Sequence, residues 1–151
     1  MTDTIRELTL QDIVTQLENI NTANGYNTNC GQNVARAQME FLLESLPATM
    51  VLPGDESAER AYGEQSLTMS LDIYALHKRD DTDIAVLAEQ MLGDLISCLV
   101  GGQSNISYID SLAYTGGGVD DWPAPEDQGL SVRASFEIEY TTVIGDPYSQ
   151  P

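Results

Sequence analysis

The sequence predicts an α+β fold: a single domain in which a largely antiparallel β-sheet has one face covered by two amphipathic helices. Apolar and polar residues alternate strictly over residues 67–73 and 130–140, which indicates two long strands, each with one buried face. Apolar residues at helical spacing over residues 13–20 and 82–99 indicate the two helices. The order of elements contains no run of strand–helix–strand units, so a parallel sheet is not expected.

The first helix is preceded by two competing capping patterns, Thr4 with Glu7 and Thr9 with Asp12, and we expect it to end at Asn24–Gly25. Residues 34–43 are ambiguous between helix and strand, and we interpret residues 34–39 as a strand. The apolar run 50–52 predicts another short strand. Residues 54–63, which follow Pro53, are predicted to form a flexible acidic loop.

In the second half of the chain, acidic residues at positions 80–83 favour the start of the helix over 82–99, and the Gly101–Gly102 pair is expected to end it. Residues 106–114 predict a strand. Residues 116–129, which begin with three glycines, are predicted to form a second flexible loop. Residues 145–151 are expected to be a turn followed by an exposed tail.

The composition limits the classes of function. The chain has 151 residues, which suits one domain, and its 24 acidic and 6 basic residues give a net charge of −18. A protein with this net charge lacks the excess of basic residues with which proteins bind nucleic acids or anionic membranes. No apolar run is expected to span a bilayer, and the N-terminus does not resemble a signal peptide, so we expect synthesis in the cytoplasm. The charge provides solubility, or it forms a surface that lies beside DNA without binding it.

Residues that could perform chemistry are scarce, and we expect no enzyme activity, no cofactor and no metal. His77 is interpreted as a surface histidine, Cys98 as a small core residue and Cys30 as an exposed residue of a polar turn. Four acidic residues of the second loop could bind calcium: Asp120, Asp121, Glu126 and Asp127. They lack EF-hand spacing, so a solvated acidic loop is the favoured interpretation.

Two aromatic residues stand in irregular segments, where interfaces often place them. Trp122 follows the glycine-rich stretch, and Tyr148 follows Pro147 near the C-terminus. An anchor for a partner protein and a residue that folds back onto its own domain are both open interpretations for Trp122.

The whole chain resembles phage tail terminator proteins, also called minor tail or tail completion proteins. The resemblance rests on the order of several pieces: the polar stretch 24–31 followed by Val34 and Arg36, the strand 67–73 before the acidic residues 80–83, and the closing segments 136–142 and 145–148. The family has an α+β fold with a sheet packed on helices, similar to the fold of tube and connector subunits.

The resemblance implies a virion protein that forms a hexameric ring on the tail tube, ends tube polymerisation and is assembled in the cytoplasm of the bacterial host. The implied partners are further copies of the chain, the tail tube protein and the head–tail connector, while DNA passes through the channel without specific binding. Basic residues are candidates for pairing with acidic loops at the ring interface: Arg36, Arg60, Lys78, Arg79 and Arg133. The alternatives are a connector or tail-tube-like protein, a small enzyme that uses acidic loop residues, and a solitary acidic binding domain.

Overall fold

The computed structural model describes residues 2–37, 43–124 and 127–151, and it confirms the α+β class with two helices packed on a mostly antiparallel sheet. Short 3-10 turns occupy several of the connections. The helices and strands that concern the site are α1 (Ile5–Leu17), β1 (Val34–Arg36), β2 (Ala48–Ala61), β3 (Glu64–Lys78), α2 (Ile84–Gly101), β4 (Ser111–Asp121) and β5 (Gly129–Val143).

Within the described residues the strands form one five-stranded sheet in the order β1-β2-β3-β5-β4. Among these five described strands, only β1 runs parallel to its neighbour, and all other pairs are antiparallel. The centre of the sheet is the long ladder between β3 and β5, which extends from the pair Glu64–Val143 to the pair Lys78–Gly129. The predicted strands 67–73 and 130–140 are therefore confirmed, and each continues for several residues beyond its apolar stretch.

The core lies between the helices and one face of this sheet. Alternate residues of β3, from Leu67 to Ala75, are buried there, and they pair with the buried alternate residues of β5, from Val132 to Tyr140. Thr4 caps α1 by accepting a hydrogen bond from the Glu7 N–H at 3.0 Å, as the first capping pattern predicts. The helix ends earlier than expected, at Leu17.

Helix α2 begins where its acidic residues predict, with Asp83 accepting a hydrogen bond from the Ala85 N–H at 2.9 Å. Its 18 residues have a mean hydropathy of 1.6, so its length and composition are sufficient for a membrane span, contrary to the expectation from the sequence. The helix nevertheless packs on β4 and β5 and buries the carboxylate-bearing residue Asp94. We therefore interpret its apolar character as that of a core helix.

The predicted loop 54–63 is wrong over residues 54–61, and the predicted loop 116–129 is wrong over residues 116–121 and at residue 129, all of which lie in strands. Residues 54–61 continue β2, which joins β3 through the two-residue turn Tyr62–Gly63. Their side chains are exposed, so burial imposes no alternation on the sequence. The three glycines lie inside β4, where a Cβ on Gly117 would come within 2.3 Å of the Arg133 carbonyl oxygen. Glycine here permits close approach of the neighbouring strand.

The boundaries of two other predicted strands also differ from those in the structure. The strand expected over 106–114 lies at Ser111–Asp121, and residues 34–36 of the expected strand 34–39 form β1. The rest of that prediction reaches residues 38 and 39, which lie outside the described part of the chain. The C-terminal segment is exposed at Tyr148. It is nevertheless bound to the start of α1, because the Ile5 N–H donates to the Pro147 carbonyl at 2.9 Å.

Cys30 is buried and not exposed, with 1% of its surface accessible. It lies in a short 3-10 turn beside Gly31, at which a Cβ would meet the Leu17 carbonyl oxygen at 2.4 Å. The Gly31 N–H donates to the Ile20 carbonyl at 2.9 Å. Because the two backbones approach each other closely at Gly31, the neighbouring Cys30 lies in the core although it belongs to a polar stretch. A contact between segments distant in sequence cannot be inferred from residue composition.

Candidate functional site

The sheet face opposite the helices, here called the open face, carries most of the polar side chains of the long strands. Residues that alternate with the core positions point to it, and several of them are acidic: Glu59, Asp72, Glu137 and Glu139. Asp110 joins them from the segment before β4, where its carboxylate accepts a hydrogen bond from the Thr141 hydroxyl at 2.7 Å. The open face is therefore a surface with a concentration of negative charge.

Hydroxyl groups hold some of these carboxylates in place. Ser135 donates to Asp72 at 2.6 Å, and Ser111 donates to Glu139 at 3.3 Å. These bonds use one acceptor site of each carboxylate and leave its charge intact. Arg133 adds a basic, exposed side chain to the same face, opposite Gly118 of β4.

A cleft of about 420 Å³ lies at the end of the sheet where β3 ends and β5 begins. Trp122, 57% exposed, and Leu43, 45% exposed, contribute apolar surface to it. The other apolar residues that line this cleft, here called the Trp122 cleft, are Leu46, Leu76, Pro123 and Leu130. Trp122 thus contacts solvent instead of completing the core, as an interface anchor would.

Two of the basic residues singled out in the sequence lie next to this cleft. Arg79 donates hydrogen bonds to the carbonyl oxygens of Asp127 at 2.7 Å and Ala124 at 3.2 Å, and so holds the segment that carries Trp122. Lys78 is exposed at the end of β3. Neither residue forms an ion pair within the described residues.

The remaining predicted interface residues are dispersed. Arg36 is used within its own chain, where it forms a two-pronged ion pair with Glu7 at 2.6 and 2.8 Å. The hydrogen bond from Arg36 lowers the pKa of Glu7 to about 2, against the smaller effect of burial. Arg60 is exposed near the end of β2, and Tyr148 is 48% exposed in the C-terminal segment.

The tip of the β2–β3 hairpin is a feature that the sequence analysis missed. Tyr62 is fully exposed there, with a φ of 49°, and Gly63 follows with a φ of 83°. The sequence lacks the usual signal for such a hairpin, which is Asn or Asp before Gly, because Tyr62 occupies that position.

A polar cluster at the base of this hairpin was also missed. Arg6 of α1 donates to the Glu56 carboxylate at 3.1 Å and to the Gly54 carbonyl at 2.9 Å, and the Tyr140 hydroxyl donates to Glu56. Burial and the bond to Glu56 raise the pKa of Tyr140. The cluster attaches α1 to β2, which is a structural role.

The buried cysteines belong to a second polar cluster, around Asp94. Its carboxylate accepts hydrogen bonds from the Thr28 N–H at 2.8 Å, the Thr28 hydroxyl at 2.7 Å and the Asn27 N–H at 3.2 Å. Burial raises the pKa of Cys30 to about 11, and burial also raises the pKa of Cys98. Both thiols are therefore protonated at neutral pH and poorly nucleophilic.

No group of three or more His, Cys, Asp or Glu side chains that could hold a metal ion is present in the described residues. The calcium hypothesis included Glu126, which lies outside the described residues, while the Asp127 carboxylate accepts from the Ala124 N–H at 2.9 Å. His77 is half-buried, and its Nδ1 lies 2.7 Å from the Lys78 carbonyl oxygen.

Comparison with known proteins does not assign the chain to a family. No protein-family model matches the chain. No curated protein matches it either.

Proposed function

We propose that the protein is a structural component of a phage tail: a ring subunit that caps the tail tube, ends its polymerisation and forms the surface that joins the head. Its partners in this role are copies of itself, the tail tube protein and the head–tail connector. It acts by shape and charge, without a cofactor, in a virion assembled in the bacterial cytoplasm. Because fold class alone does not define function, the proposal depends on the surfaces of the sheet.

The observation that carries the proposal is the separation of the two sheet faces. Helices cover one face, and the other presents Asp72, Glu137 and Glu139 to solvent. A ring with its helices outside would line its channel with these carboxylates. DNA phosphates within a Debye length of about 8 Å would be repelled, so the duplex would pass without binding.

A second observation is the presence of two unlike apolar surfaces at opposite ends of the sheet. Tyr62 is exposed at the hairpin tip, while Trp122 and Leu43 are exposed at the cleft. A closed ring needs heterologous contacts, in which two different surfaces of each subunit meet. Exposed aromatic residues are the usual anchors of such contacts.

The test is native mass measurement and electron microscopy of the protein alone and after mixing with tail tube protein from the same phage. We expect a discrete oligomer with a central channel that binds to tube ends and stops their growth. Open-ended stacks of the protein alone would favour the tail-tube-like alternative. A monomer that neither binds tubes nor changes their growth would leave the solitary acidic binding domain and the small enzyme.

The electrostatic part of the proposal has its own test. The assembled protein should not retain DNA at low salt, where attraction between charges is strongest. Replacing two channel carboxylates, as in Glu137→Lys with Glu139→Lys, should produce salt-sensitive DNA retention. The matched control is the same pair of changes at exposed acidic positions of the helices, Glu18→Lys with Glu89→Lys, and it should not produce retention if the open face lines the channel.

A further inference from the structure

The residue at the hairpin tip is unfavourable for the isolated subunit on two separate grounds. A positive φ, such as the 49° of Tyr62, disfavours any residue with a Cβ other than Asn or Asp. Its aromatic ring is also fully exposed, although burial of aromatic surface is strongly favourable. An Asn–Gly pair would form the same two-residue turn with neither disadvantage. A contact between the aromatic ring of Tyr62 and another chain accounts for a tyrosine at this position.

The Trp122 cleft lies at the other end of the same sheet. Strand β3 has 15 residues, so the tip beside Glu64 and the cleft beside Lys78 are separated by about 50 Å along the strand. The Trp122 cleft has a volume of about 420 Å³, which is within the ~300–1,000 Å³ range of pockets that hold small ligands, so one aromatic side chain can enter it. Tip and cleft cannot meet within one chain, because a continuous strand separates them.

Residues of opposite charge are present at the two ends. Glu59, Arg60 and Glu64 flank the tip and are exposed. Lys78 and Arg79 flank the cleft without an ion pair in the described residues. Acidic residues also lie at the cleft end, and two of them bind backbone N–H groups of their own segments: Asp127 to Ala124 and Asp80 to Thr82.

From these observations we infer that Tyr62 of one copy enters the Trp122 cleft of the next copy, so that the ring closes head to tail along the direction of β3. The inference rests on the ring of the proposed function and assigns its contact surfaces. Each copy then uses one tip and one cleft, which is the arrangement that cyclic symmetry requires. Glu59 or Glu64 of one copy would approach Lys78 of its neighbour.

Disulfide trapping tests the contact directly. The native thiols of Cys30 and Cys98 are buried, so introduced cysteines on the surface will react selectively. Chains with both Tyr62→Cys and Leu43→Cys should form a ladder of covalent oligomers up to the size of the ring under mild oxidation. Chains with only one of the two substitutions are the controls and should remain uncrosslinked. Dimers of the Tyr62→Cys chain would mean that tips meet tips, which would overturn the inference.

The variant Tyr62→Asn separates assembly from folding. Because Asn suits the turn, the variant should unfold at the same or a higher temperature than the parent, while its population of rings falls at least tenfold at equal concentration. Val86→Ser, which changes another exposed apolar residue, is the control and should assemble normally. Mixing Tyr62→Asn chains with Trp122→Ala chains should yield dimers, since one intact tip and one intact cleft remain.

The outcomes distinguish this contact from the proposed function. Rings that persist in Tyr62→Asn, together with no crosslinks in the double-cysteine chain, would overturn the contact and leave the ring intact. A parent chain that stays monomeric even with tail tubes would overturn the ring and the contact together.

Discussion

The two faces of the β3–β5 ladder share one backbone and differ in almost everything else. On the covered face, Met69, Leu71 and Phe136 are buried beneath the helices. On the open face, the adjacent residues Ser70 and Glu137 are exposed, and Asp72 accepts a hydrogen bond from Ser135. Stability therefore depends on one set of alternate positions, whereas the proposed function depends on the other.

The largest effect should come from the covered face. Phe136→Ala removes a buried aromatic ring that also packs edge-on against Tyr114 at 5.8 Å, and we expect it to lower the free energy of unfolding by about 3–5 kcal/mol. The next residue provides the control, because Glu137→Ala on the open face should change stability by no more than about 0.5 kcal/mol. Urea unfolding of both variants measures the contrast, and equal losses would contradict it.

A carboxylate on the covered side should matter far more than one on the open side. Asp94→Ala leaves three hydrogen-bond donors of Asn27 and Thr28 without their acceptor, at a cost of about 2–3 kcal/mol. Asp94→Asn keeps an acceptor and should lose less. Asp72→Ala, which removes an open-face acid, should remain within about 1 kcal/mol of the parent in the same urea experiment.

A smaller effect is expected for the ion pair between Glu7 and Arg36, and it depends on pH. The pKa of Glu7 falls from 4.5 to about 2 on folding, so the pair stabilises the protein fully above pH 4.5 and less as the pH falls towards 2. Both side chains are about one-third exposed, which limits the contribution to about 1 kcal/mol. The stability difference between the parent and Glu7→Gln should therefore shrink over this pH interval, while a constant difference would exclude the assigned cause.

The smallest effect concerns the open-face acids themselves. The double variant Glu137→Gln with Glu139→Gln removes two negative charges from a chain of net charge −18, which reduces self-repulsion. We expect a gain of up to about 0.5 kcal/mol at low salt that disappears at high salt. Thermal unfolding at two salt concentrations measures it. A loss of stability in this variant would show that these carboxylates have a structural role as well.

The sequence predicts the covered face better than the open one, for a physical reason. Burial imposes the alternation of residues 67–73 and 130–140, so those strands were recognised, as was Thr4 as the cap of α1. Residues 54–61 are exposed and carry no such pattern, so the sequence predicts a loop where the structure has a strand. The glycines of β4 were misread because their role depends on the closeness of a neighbouring strand.

The candidate site shows the same limit. Trp122 could be selected from its position in an irregular segment, but its exposure and its cleft depend on Leu43 and Leu76, which are distant in sequence. Arg36 was grouped with Lys78 and Arg79 by charge, whereas its partner Glu7 lies 29 residues away. Tyr62 was missed because a tyrosine is not expected in a two-residue turn.

The outer edge of β2 has a practical consequence. Beyond Val51 no strand in the described part of the chain pairs with it, so its backbone amides are available to any other extended chain. Charged side chains on that stretch, among them Asp55, Glu59 and Arg60, oppose such pairing, as charges on sheet edges generally do. The chain has a pI near 4.1, at which its acidic residues lose much of this protection. Concentrated preparations will therefore keep best well above that pH and will precipitate as they are acidified towards it.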